Sequence, residues 1–112
     1  MQEAGWLAGS AEGSYTPAMH VAALTIELHL PGCASLKEKR SRLKPLLARL
    51  HRQFNVSASE IGENVHHTSA AIACAVVSND HDHVQRVLSA IPPWIESQRP
   101  DLQVVDHSIV IC

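Results

Sequence analysis

The sequence predicts an α+β fold, a ferredoxin-like βαββαβ sandwich in which two helices cover one face of a four-stranded antiparallel sheet. The patterned segments follow the order β-α-β-β-α-β along the chain. The first and last strand segments alternate apolar and other residues, and a third strand segment is a short apolar run. The helical segments instead repeat apolar residues every three to four positions. Right-handed crossovers within one sheet then give this sandwich. At 112 residues the chain is long enough for one such domain with its own core.

The first strand is predicted over residues 20–30. Its alternate positions are apolar, and they are Ala22, Leu24, Ile26, Leu28 and Leu30. Thr25, Glu27 and His29 occupy the opposite face, so we expect a half-buried strand. Pro31 and Gly32 end it.

The first helix begins at a capping box, with Ser35 as the N-cap and Glu38 reaching back to it. One apolar stripe then recurs at helical spacing, formed by Leu36, Leu43, Leu47, Leu50 and Phe54, with Leu46 beside it. Pro45 lies inside this pattern and lacks a backbone donor, so we expect a kink or a short break near residues 41–44.

The second half of the chain repeats the pattern. Residues 55–61 predict a short strand, 62–68 a polar connection, and the apolar run 70–78 a central strand. Asn79 and Asp80 mark the start of a second helix, which Pro92 and Pro93 are expected to interrupt. Its buried stripe is Val84, Val87, Leu88, Ile91 and Ile95. A last strand is predicted over 102–112, with Val105, Ile109 and Ile111 on one side.

Residues 1–18 differ from the rest of the chain. They hold three of the five glycines and lack the basic region and apolar stretch of a secretory signal. We expect a flexible N-terminal extension, followed by a single domain over 19–112. The longest apolar run is far short of the roughly 20 residues that a membrane span needs. Three cysteines without close spacing predict no disulfide framework and fit a cytoplasmic setting.

Several stretches resemble the YlxP-like family of small bacterial proteins. They are MHVAALTIELHLPGCASLKEKRSRLKPLL, FNVSASEI, AVVSND and VVDHSIVI, and the resemblance covers residues 19–112. It implies a ferredoxin-like domain of unknown function, without family catalytic residues to carry over. Genes of this family often lie near genes for translation initiation and ribosome maturation factors, which implies a role around RNA or the ribosome.

Positive charge is concentrated on the first helix. Seven of the nine Lys and Arg residues fall within sixteen positions, and they are Lys37, Lys39, Arg40, Arg42, Lys44, Arg49 and Arg52. Glu38 is the one acid among them, although the whole chain has a formal net charge of -2. The cluster predicts a surface that contacts phosphates of RNA or a ribosome. The alternative is an ordinary solvated helix face.

The exposed face of the sheet argues against base stacking. Residues 20–30, 70–78 and 102–112 contain no Phe, Tyr or Trp, whereas RNA-recognition sheets of this topology stack bases on aromatic side chains. The expected exposed residues are small or weakly polar, and they are Thr25, Glu27, His29, Ala71, Ala73, Ala75 and Val77. Such a face suits a homo-oligomer, and the alternative is a plain solvent-facing sheet.

No catalytic or metal-binding constellation is predicted. The eight histidines lack the spacing of a ligand set, and no cofactor is expected. One catalytic alternative is a reactive Cys33, which precedes a helix N-terminus and could use His29 as its base. A weaker alternative is an acid–base pair of Glu27 and Asp106 on neighbouring strands. We therefore expect a non-enzymatic module that binds an anionic partner. The alternative is a homo-oligomeric regulatory or small-molecule-binding domain.

Overall fold

The computed structural model describes residues 17–62 and 66–112. The elements are β1 (His20–His29), α1 (Leu36–Phe54), β2 (Ser57–Ile61), β3 (Ser69–Ser78), α2 (His81–Gln98) and β4 (Gln103–Ile111). Their order is the predicted one. The expected flexible extension lies outside the described residues, apart from Pro17 and Ala18, and stays a prediction.

The strands form one sheet in the order β2-β3-β1-β4, and every neighbouring pair is antiparallel. This arrangement confirms the ferredoxin-like sandwich. Helix α1 packs against the edge strand β2, and α2 packs against β1, β3 and β4. The core fills the space between the helices and one face of the sheet, while the opposite face, here called the open face, has no layer over it among the described residues.

Helix α1 is fixed at both ends by local hydrogen bonds. At the N-terminus, Ser35 Oγ accepts from the backbone N–H of Glu38 at 3.0 Å. The Glu38 carboxylate accepts from the N–H of Ala34 at 3.3 Å, one residue before the expected Ser35. At the C-terminus, Asn55 adopts a left-handed conformation with φ of 54°, and its N–H donates to the carbonyl of His51.

The expected break of α1 near residues 41–44 and the expected interruption of α2 at Pro92 and Pro93 were wrong. The alternative expectation for Pro45, a kink, stays a prediction. Helix α1 is continuous through Pro45, and α2 is continuous through Pro92 and Pro93. Pro45 and Ser41 are both exposed, so water can satisfy the Ser41 carbonyl that loses its partner. In α2, burial of Pro92 in line with Leu88, Ile91 and Ile95 holds the helix together by packing.

The predicted pattern of β4 was also wrong at its start. The pairing of β1 with β4 shifts between Glu27 and Leu28, because one extra residue of β4 forms a bulge there. Val105 therefore does not share the side of Ile109, and 66% of its surface is exposed. Val104 takes the half-buried place against the core.

Candidate functional site

The cationic residues of α1 fall into two groups with different environments. Lys39 belongs to the interior, with only 1% of its surface exposed. Its ammonium group donates to the carbonyl oxygens of His66 at 2.7 Å and Ser69 at 2.9 Å. The Glu60 carboxylate lies 3.7 Å away. Lys39 thus links α1 to the β2–β3 connection through buried hydrogen bonds. It does not face solvent as a partner-binding residue would.

Arg42 is likewise used within the domain. Its guanidinium donates to the Glu38 carboxylate at 2.6 Å and to the Pro31 carbonyl at 2.9 Å. This hydrogen bond to Arg42 is the main reason that the pKa of Glu38 lies below its ordinary value. The same guanidinium donates a third, longer hydrogen bond to the Asp101 carbonyl at 3.4 Å. Arg99 donates separately to the backbone carbonyl of Arg42 and binds the Asp101 carboxylate through two 2.9 Å hydrogen bonds. Arg42 therefore has little free hydrogen-bonding capacity for a partner.

Arg49 is half-buried against α2. Its guanidinium lies 5.0 Å from the ring centroid of Trp94 and donates to the Gln98 side chain at 3.0 Å. Trp94 packs edge-to-face against Phe54, with centroids 5.3 Å apart. The cation–π contact and the hydrogen bond assign Arg49 mainly to the contact between the two helices.

Four cationic side chains remain exposed on α1, and they are Lys37, Arg40, Lys44 and Arg52. Lys37, Arg40 and Lys44 follow an i, i+3, i+7 spacing, and Arg52 comes two turns after Lys44, so all four share the outer side of the helix. None of them forms an ion pair within residues 17–62 and 66–112. We call these four residues the outer cationic row. At 1.5 Å per residue the row extends over roughly 20 Å.

Charge pattern alone did not separate the outer row from the other three cations. A helical wheel places Lys39 beside the buried stripe, but the acceptors that bind it come from a distant part of the chain. The partners of Arg42 and Arg49 also lie partly on α2 or just after it. Sequence reasoning therefore found the helix and overestimated the number of free cations on it.

The cysteine-based alternative does not fit the geometry. The Cys33 side chain is buried, with 3% exposure, and its thiol donates to the carbonyl of Ser35 at 3.5 Å. The imidazole of His29 instead contacts the carbonyl of Thr68. In the part of the chain that the structure describes, no three His, Cys, Asp or Glu side chains come together as metal ligands would.

The open face carries the most exposed large apolar side chains of the sheet. Val105 is 66% exposed, Val77 63% and Val110 54%, and Ile61 is exposed at the edge of the same face. Between them lie Ala71, Ala73 and Ala75, as the sequence predicts. The alternation pattern identified Val77, but it missed Val105 because a bulge leaves no period-two signal.

Comparison with known proteins places the chain in a family. Residues 21–109, well over half of the chain, match the family described as "Protein of unknown function (DUF503)". The chain belongs to the DUF503 family. A relative, the "Uncharacterized protein YlxP" of Bacillus subtilis (strain 168), is 38% identical over 63 residues. That match spans 56% of this chain and 68% of the relative, and it confirms the YlxP-like resemblance.

Two solved structures share the fold of this DUF503 chain. Both are crystal structures of SnoaB, a cofactor-independent oxygenase from Streptomyces nogalater. One is a point mutant of SnoaB, with a TM-score of 0.50 at 18% identity, and the match covers 80% of this chain and 90% of that chain. The other has a TM-score of 0.52 at 16% identity, with 81% and 91% covered. At such identities the likeness concerns the fold alone.

Membrane insertion through a helix finds no support in the described residues. Neither α1 nor α2 combines the length and the apolar character that a bilayer-crossing helix needs. Helix α1 carries the concentrated charge described above, and α2 presents polar residues on its outer side.

Proposed function

We propose that this protein is a non-enzymatic module that binds RNA, free or on the ribosome surface, through the outer cationic row of α1. The observation that carries the proposal is the exposure of Lys37, Arg40, Lys44 and Arg52 on one side of a helix without ion-pair partners among the described residues. Four aligned cations create a local positive potential on a chain whose net charge is -2.

The geometry favours contact with phosphates over reading of bases. Lys and Arg side chains on a helix surface suit the sugar–phosphate backbone, which carries no sequence information. Among residues 17–62 and 66–112, no Phe, Tyr or Trp lies on the open face for bases to stack on. The YlxP-like resemblance, which implies a role near RNA or the ribosome, also supports RNA as the partner. Binding is thus expected to depend on RNA shape and charge and to vary little with sequence.

A salt titration tests this proposal. Binding of the purified protein to ribosomes and to a structured RNA is measured by filter binding from about 50 to 200 mM salt. Because four cations would displace counterions, the slope of log K against log salt should be roughly -3 to -4. A flat salt response, or no binding at low salt, would contradict the proposal.

A second candidate function is self-association through the open face. It is favoured by the exposed Val77, Val105 and Val110, since large apolar side chains exposed on one sheet face are commonly buried in an interface. The small Ala71, Ala73 and Ala75 would let a second sheet approach closely. This function does not compete with RNA binding, because α1 lies on the other side of the sheet.

A further inference from the structure

The open face contains a concave site at the end of the sheet where β1 and β2 finish. The depression has a volume of about 420 Å³, within the range of small-molecule sites. Ile61, Ala71 and Val105 give it apolar walls, while Glu27, His29 and Ser69 supply polar groups. We call it the open-face cleft. The bulge of β4 helps to form it, because the bulge turns Val105 toward this side of the sheet.

Two polar groups of the cleft, on His29 and Glu27, offer hydrogen-bond acceptors. His29 Nδ1 lies 3.1 Å from the carbonyl oxygen of Thr68, which can only accept, so Nδ1 carries the proton of this contact. In the neutral imidazole Nε2 is then left as an acceptor. The Glu27 side chain is exposed and forms no ion pair within residues 17–62 and 66–112.

A second negative charge lies next to Glu27. Asp106 on β4 is its direct cross-strand partner, so two carboxylates share this part of the face. Like charges in directly opposed positions repel each other, and a cation placed between them would relieve the repulsion. The lysines and arginines of α1 lie on the far side of the sheet, so the domain itself supplies no such cation from that helix.

We propose that the open-face cleft binds a small organic cation, an ammonium or amidinium group on a compact apolar body. The cationic head donates hydrogen bonds to the Glu27 carboxylate and to His29 Nε2, since an ammonium group has three donors and no acceptor. The apolar body lies against Ile61, Ala71 and Val105. This site is independent of the RNA-binding surface proposed for α1, whereas its Val105 wall also belongs to the surface proposed for self-association.

Nuclear magnetic resonance titration with matched probes tests the proposal. Benzylamine, benzyl alcohol and benzoate share one ring and differ in the charge of the head group. We expect benzylamine to shift the amide signals of Glu27, His29, Ala71 and Val105, with a Kd on the order of 1 mM for so small a probe. Benzyl alcohol and benzoate should bind at least about 10-fold more weakly, as the loss of one charged hydrogen bond implies.

Two variants locate the effect. Glu27→Gln keeps the shape of the exposed side chain and should weaken benzylamine binding about 10-fold. Glu96→Gln removes the same charge from an exposed position on α2 and should leave binding unchanged. Equal shifts with benzylamine and benzoate, shifts that avoid the cleft, or equal losses in both variants would overturn the proposal.

Discussion

The Nζ atom of Lys39 lies 2.9 Å from the carbonyl oxygen of Ser69, so a lysine from the most basic helix of the chain is used on the inside of the domain. The same ammonium group donates to the carbonyl of His66 at 2.7 Å and forms a longer ion pair with the Glu60 carboxylate at 3.7 Å. The ammonium group thereby joins α1 to the start of β3 and to the edge strand β2. It sets the position of the helix whose outer side carries the free cations.

Replacement of Lys39 should destabilise the fold. Lys39→Met keeps most of the buried volume but leaves two carbonyls without their donor and Glu60 without its ion-pair partner, so we expect a loss of about 2–4 kcal/mol in the free energy of unfolding. Urea unfolding followed by circular dichroism measures it. Lys44→Met at an exposed position of the same helix is the control and should change stability by no more than about 0.5 kcal/mol. Equal losses in the two variants would contradict the assignment.

The ion pair of Arg99 and Asp101 should make a small contribution to stability that depends on pH. The hydrogen bonds from Arg99 hold the pKa of Asp101 below its ordinary value of 3.8. A carboxyl group whose pKa is lower in the folded than in the unfolded state stabilises the fold at any pH above its unfolded-state pKa. This stabilisation is lost as the pH falls through the folded-state pKa. Asp101→Asn should therefore cost about 0.5 kcal/mol near pH 7, because the pair is partly exposed. The cost should vanish below the folded-state pKa, and a cost that stays the same from pH 7 down to the acid limit of folding would refute this.

The three thiols should differ sharply in reactivity. Cys112 is exposed, whereas Cys33 and Cys74 are buried, and burial raises the pKa of the Cys74 thiol to about 11. In the native protein a thiol reagent should therefore label one equivalent quickly, and Cys112→Ser should remove that phase. The other two thiols should react only on unfolding. Rapid native labelling of Cys33 would restore the alternative of a reactive cysteine.

Self-association can be tested on the open face. Sedimentation velocity across a concentration series should detect an oligomer of the wild-type chain, because burial of Val77 and Val105 is favourable. Val77→Asp together with Val105→Asp should shift the protein to the monomer. Ala48→Glu, which adds an acid on the exposed side of α1, is the control and should leave the distribution unchanged. A wild-type chain that stays monomeric at every concentration would exclude this function.

The sequence was sufficient for the architecture because each element has a local signature. Alternation in residues 20–30 and the Ser35 and Asp80 caps place a strand and two helix starts where the structure has them. The wrong details depend on tertiary contacts. Packing of α2 on the sheet overrides the effect of Pro92, and the pairing of two strands creates the bulge at Val105.

The candidate site likewise combines features that the local sequence predicts with features that depend on tertiary contacts. Local charge pattern identifies α1 as the basic helix, yet the burial of Lys39 depends on groups of Glu60, His66 and Ser69, which lie well beyond the end of that helix. Likewise, Glu27 and Asp106 are distant in sequence and become neighbours only through the β1–β4 pairing. Residue types could suggest the basic surface of α1 and the open face of the sheet. Which side chains are free on each surface depends on the three-dimensional arrangement.

The measurement that tests the central claim most directly compares two double variants in the ribosome-binding assay across the salt series. Lys37→Ala/Lys44→Ala removes two charges from the outer cationic row, and Gln85→Glu/Ser89→Glu changes the net charge equally on the exposed side of α2. The first should weaken binding about 10-fold near 100 mM salt and reduce the salt slope by about 2. The second should do neither, and equal effects of the two, or none from the first, would contradict RNA binding through α1.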